Sequence, residues 1–121
     1  MIRKVVLAAV LLATVTASVA AGYKVTVHVT NKLSSRMVLI VHCKSGDDDL
    51  GARALEPDAD FGFSFGPSFW GGTFFWCNVA FQDKRLSFVA YDQNLHHGWV
   101  VDFDVEDGGV YRHNRLVRGW K

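Results

Sequence analysis

From Tyr23 onward almost every segment of this chain keeps apolar side chains two residues apart, and that spacing narrows the choice of fold more than any other feature. Tyr23 to Asn31 sets Val25, Val27 and Val29 on one face and Thr26, His28 and Thr30 on the other. A strand points successive side chains to opposite faces, so such a segment buries one surface and wets the other. The same rhythm puts Phe61, Phe63 and Phe65 together, then Phe75, Cys77, Val79 and Phe81, then Trp99, Val101, Phe103 and Val105. Leu86 to Tyr91 follows the loop 82–85, and Met37 to Lys44 is apolar on both faces up to its polar end, as in a strand inside a sheet or covered on both sides. The polar stretch Lys32 to Arg36 reads as a turn, and "DGG" at 107–109 supplies the positive backbone angles of a hairpin. No segment carries a helical period. The expected fold is all-β, a small antiparallel β-sandwich of about seven or eight short strands.

The first residues follow a different logic. Arg3 and Lys4 precede an apolar run from Val5 to Val15, and Ser18, Val19 and Ala20 offer small residues for cleavage, so residues 1–20 read as a secretory signal peptide and 21–121 as one mature domain. The apolar run falls short of the roughly 20 residues that span a bilayer, so a secreted, extracellular product with no membrane insertion after signal removal is expected. The formal charge of +1 becomes −1 once Arg3 and Lys4 leave, because no acidic residue leaves with them. A near-neutral body argues against nucleic acid, which is held by many lysine and arginine contacts to phosphate.

Candidate chemistry is sparse. Cys43 shares its face with Leu39 and Val41, and Cys77 with Phe75 and Val79, so both thiols point to the core. In an oxidising compartment the pair reads as one disulfide, worth on the order of 3.5 to 4 kcal/mol for a loop of about 35 residues, with two separate buried thiols as the alternative. Asp47, Asp48 and Asp49 lie in "SGDDDLG", but three adjacent carboxylates cannot converge on calcium, which needs six to eight oxygens from alternating positions. That stretch reads as a solvated turn, or as a surface that a partner reads. His96 and His97 point opposite ways in an extended chain, so no zinc site and no cofactor is expected. "GPSFWGG" at 66–72 is not a nucleophile elbow, and no pair of carboxylates suggests divided acid and base roles, which points away from an enzyme and leaves the catalytic and metal sites empty. Phe69 and Trp70 in that glycine-flanked loop either pack over the open end of the sandwich or meet a partner. The basic tail with Arg112, Arg115, Arg118 and Lys121 reads either as an attractor for an acidic partner or as a frayed terminus.

Several short motifs, taken in order, resemble the plant self-incompatibility protein family, the S-protein homologues. They are "VHCKS" at 41–45, "DDDLG" at 47–51, "FSF" at 63–65, "FWC" at 75–77, "YD" at 91–92, Trp99 and "DGGVY" at 107–111. The resemblance implies a secreted β-sandwich without catalytic activity that serves as an extracellular ligand in plant cell-to-cell recognition, including pollen rejection. Its implied partner is a cell-surface membrane protein, and its inter-strand loops, here the 45–51 turn, are the implied recognition elements. Members typically carry two more cysteines before the tryptophan matching Trp99, where this chain reads "DQNLHHGW". The family's full disulfide set therefore cannot form, and Cys43 and Cys77 are free if their usual partners are the missing pair. "DGGVY" also carries one glycine more than the usual pattern. The rival expectation is a secreted carbohydrate-binding module of the cell wall that uses Phe69, Trp70 and the aspartates. Receptor identity, tissue and oligomeric state are not legible in the sequence.

Overall fold

The computed structural model describes residues 24–68, 71–95 and 98–120. The expected signal peptide, Phe69, Trp70, His96, His97 and Lys121 lie outside the described residues. Strands β1 (Val25–Asn31), β2 (Leu39–Ser45), β3 (Asp49–Leu55), β4 (Asp60–Phe65), β5 (Phe74–Phe81), β6 (Lys84–Asp92), β7 (Val100–Glu106), β8 (Gly109–Arg112) and β9 (Arg115–Gly119) follow one another with no helix among the described residues. They form two sheets, β4-β1-β7-β8-β9 and β3-β2-β5-β6.

The alternation seen in the sequence is what closes the sandwich. Val25, Val27 and Val29 on β1 and Val101, Phe103 and Val105 on β7 face Leu39 and Val41 on β2, Val79 on β5 and Phe88 on β6, all buried. Phe88 and Phe103 meet across the two sheets with ring centroids 4.8 Å apart. Burial of this apolar surface is the main favourable term for a domain of this size.

Four expectations need correction. The sandwich is not wholly antiparallel, because β1 runs parallel to β7, from Thr26↔Val100 to Asn31↔Val105. The turn at 45–51 is shorter than read, since Asp49 already pairs with Lys44 and opens β3, an edge strand poor in β-formers whose period the sequence conceals. The C-terminal tail is not frayed: it returns as β9 along β8. Trp99 does not continue the inward phase of β7 but is 67% exposed, because the strand starts one residue later and the chain is still entering the sheet. Met37 to Lys44 is central in its sheet, between β3 and β5, yet its outer face is uncovered at Ile40.

Two glycine and asparagine turns set the β7-β8-β9 meander. Gly109 has φ 141°, and a Cβ there would lie 2.0 Å from the Arg118 carbonyl oxygen across the β8–β9 pair. The additional glycine of "DGGVY" is thus required by the close approach of β9. His113 and Asn114, with φ 52° and 63°, make the two-residue turn between β8 and β9.

Candidate functional site

One end of the sandwich gathers the β2–β3 turn, the β4–β5 loop and the segment after β6. Ser45 organises the first of these. Its hydroxyl accepts from the backbone N–H of Asp47 at 3.3 Å and of Asp48 at 3.1 Å, and its own N–H donates to the Asp48 carbonyl at 2.7 Å. The serine thereby satisfies the turn's backbone from within, and the aspartate side chains are left over.

The three carboxylates are not equivalent. Asp49 Oδ1 accepts from the Gly51 N–H at 2.9 Å and lies 2.5 Å from His42 Nε2. The hydrogen bond to His42, followed by that to Gly51, holds its carboxyl below the usual carboxylate range. Asp49 is therefore a structural tie between β2 and β3. Asp47 and Asp48 are exposed, and their carboxylates make no hydrogen bond or ion pair with any described residue. At the opposite end Asp58 is engaged by Arg36 at 2.6 Å and Lys32 at 3.6 Å, and the Asp107 carboxylate by Ser34. Among the described residues no group of three histidine, cysteine or acidic side chains is placed to hold a metal ion.

Beside the turn lies an open cleft of about 550 Å³ between Asp47 and Asp48 on one side and Ser68, Gly71 and Gly72 on the other, with Phe65 and Phe75 below. Phe65 and Phe75 stand 4.5 Å apart, and Tyr91 meets Phe65 edge-on at 5.0 Å. A β-bulge makes this possible: the register of β5 with β6 jumps between Phe75↔Tyr91 and Trp76↔Val89, which turns Tyr91 inward directly after the buried Ala90.

Gln93 fixes the β4–β5 loop, a role the sequence did not announce. Its Oε1 accepts from the Thr73 N–H and its Nε2 donates to the Ser68 carbonyl, both at 2.9 Å, while Thr73 Oγ1 accepts from the Ser68 N–H at 2.7 Å. Ser68 and Gly71 thus belong to a tied loop, although Phe69 and Trp70 between them lie outside the described residues. The same end exposes Trp99 at 67%, Leu95 at 73% and Phe74 at 39%. Exposed large apolar side chains clustered at one end are the usual mark of a contact surface. The strand rhythm had assigned Trp99 to the core and so hid it.

Cys43 and Cys77 sit elsewhere, directly opposite each other on β2 and β5, with Cα atoms 4.0 Å apart and sulfurs joined in a disulfide. The alternative of two free thiols is overturned. The bridge lies in the core and takes no part in the cleft.

A family model described as plant self-incompatibility protein S1 matches residues 26–121. Relatives from Arabidopsis thaliana include S-protein homolog 21, 43% identical over 100 residues that cover 76% of this chain and 75% of that one. S-protein homolog 1 is 43% identical over 106 residues, covering 78% and 70%. S-protein homolog 2 is 40% identical over 75 residues, covering 62% of this chain. The chain spans about half the length of some relatives it matches, 47% of homolog 2 and 45% of homolog 3.

Proposed function

Because the chain belongs to the plant self-incompatibility protein S1 family, we propose that it is a secreted, non-enzymatic extracellular ligand in plant cell-to-cell recognition. Its partner is a cell-surface membrane protein, and pollen rejection is one setting in which such a ligand acts. The observation that carries this reading is the loop end of the sandwich, where the unengaged carboxylates of Asp47 and Asp48 share one end with the exposed Trp99 and Leu95. Their backbone is already satisfied by Ser45, so these side chains are not needed to hold the turn. Tryptophan in such a setting is among the residues that dominate binding energy.

Labelled mature protein should bind the surface of at least one reproductive or vegetative plant cell type saturably. Asp47→Lys with Asp48→Lys, and separately Trp99→Ala, should weaken that binding at least about tenfold, a change of about 1.4 kcal/mol. Folding stability should move by no more than about 0.5 kcal/mol for the aspartate pair, as for surface sites in general. Absence of saturable binding across tissues, or full binding by both variants, overturns the assignment.

A carbohydrate-binding role is the second reading, supported by the half-exposed Phe74 ring beside Trp76, with centroids 6.0 Å apart. A glycan array separates the two readings. The carbohydrate module requires a sugar signal that Phe74→Ala or Trp70→Ala removes, and the protein ligand does not.

A further inference from the structure

The outer face of the four-stranded sheet carries a second concavity, remote from the loop end. A groove of about 650 Å³ lies over β5 and β6, between Ile40 of β2 and Arg118 of β9, and is closed at one end by the Gln82–Asp83 turn. Its floor is formed by Ala80 and by Asn78 and Ser87, which face each other across the strand pair. Arg85 of β6 and Arg118 of β9 line it from two different sheets. Neither arginine forms an ion pair with a described residue, and among the described residues Asp83 is the one carboxylate on the lining.

The supply of hydrogen bonds is lopsided. The Ser87 hydroxyl donates to Asn78 Oδ1, which occupies one lone pair of the amide oxygen and leaves the Nδ2 protons for a ligand. With two guanidiniums added, the groove offers many donors and few acceptors. Planar guanidinium forks match carboxylates in both geometry and charge.

We propose that this groove binds an acidic, extended peptide segment of a partner protein, with glutamate or aspartate carboxylates on Arg85 and Arg118 and an aliphatic side chain between Ile40 and Ala80. Two features select a peptide over an acidic sugar. The apolar part of the lining is aliphatic, and sugar rings are usually held by stacking on aromatic faces; no aromatic side chain among the described residues lines the groove. Alternate residues of an extended peptide face the same way, so two carboxylates with an aliphatic side chain between them reach the groove from every second residue.

The test is an NMR titration of the disulfide-intact protein with an acetylated, amidated five-residue peptide that has glutamate first and fifth, valine third and serine at the two positions between, so that both carboxylates and the aliphatic side chain face one way. Parallel titrations use its glutamine counterpart and a short oligogalacturonate. The glutamate peptide should shift the amides of 78–80, 82–87 and 118 and leave those of 46–48 in place. Raising salt from about 0.05 M to about 0.5 M should weaken binding several-fold, because the charges lie at the surface. Arg85→Gln with Arg118→Gln should weaken it at least about tenfold. Ile40→Glu, which sets a like charge on the groove wall, should do the same while the spectrum keeps its native dispersion. No shift at millimolar glutamate peptide overturns the proposal, as do equal binding of the glutamine peptide, shifts confined to the loop end, and binding of the oligogalacturonate alone.

Discussion

Asn31 continues the inward phase of Val25, Val27 and Val29 and is 1% exposed, the one buried polar residue among those described. Its Nδ2 donates to the Met37 carbonyl at 2.8 Å and the Leu55 carbonyl at 2.9 Å, and its Oδ1 accepts from the Leu33 N–H at 3.1 Å. One side chain therefore ties the end of β1 to the β1–β2 turn and to the end of β3. Asn31→Ala should cost about 2 to 4 kcal/mol, because it leaves backbone groups buried without partners as well as deleting bonds. Urea unfolding measures this, and a loss under about 1 kcal/mol would mean that water replaces the amide. In the sequence Asn31 reads only as the polar end of a strand. That it falls on the valine face was visible; what it bonds to depends on β3, which was not.

At the scale of elements, strands with one dry face were legible and strands without one were not. β1, β5 and β7 bury alternate residues and β4 buries or half-buries its phenylalanines, so the period survives in their sequences. β9 is exposed at all of its positions, so nothing selects an alternation there, and its arginines look like a solvated tail. Two cues were present nonetheless. Asn114 is a residue that tolerates positive φ, and Gly119 faces Gly109 across the β8–β9 pair. The parallel β1–β7 pair was hidden for another reason: strand rhythm records which face is buried and says nothing of the neighbour's direction. The site followed the same rule. Asp47 and Asp48 became candidates because an acidic turn stands out, whereas Trp99 was misassigned because its spacing matched β7. β9 is anchored from beyond its own end, where the Trp120 indole N–H donates to the Glu106 carbonyl at 3.1 Å and its ring meets Phe81 edge-on at 4.9 Å. Trp120→Ala should therefore cost about 2 kcal/mol, less than a fully buried tryptophan, with the effect concentrated in one element. Amide exchange should accelerate across β9 before β2 and β5 are affected. Uniform acceleration across both sheets would show instead that Trp120 supports the whole core.

For the whole molecule the decisive link is the Cys43–Cys77 bridge. Its two residues are already opposite in the β2–β5 register, which runs from Ile40↔Ala80 to Ser45↔Phe75, so the pairing of these strands does not depend on the covalent bond. The bridge acts chiefly on the unfolded chain, where it closes a loop across a sequence separation of 34 residues. The chain-entropy argument makes that worth about 3.5 kcal/mol. At about 4 to 8 °C of melting temperature per kcal/mol for a domain near 100 residues, Cys43→Ala with Cys77→Val should melt roughly 15 to 30 °C lower. It should keep its near-ultraviolet circular dichroism at room temperature, because the aromatic packing around Phe65, Phe75 and Tyr91 is set by strand register and the β5–β6 bulge. The native bridge, buried at 0% exposure on both residues, should resist reductant until the domain unfolds. The intact protein should then gain about two mass units when reduced in denaturant, one hydrogen for each sulfur. No mass change on reduction would mean two free thiols, and loss of the native dichroism in the variant would mean that the bridge, and not the register, holds the two sheets in place.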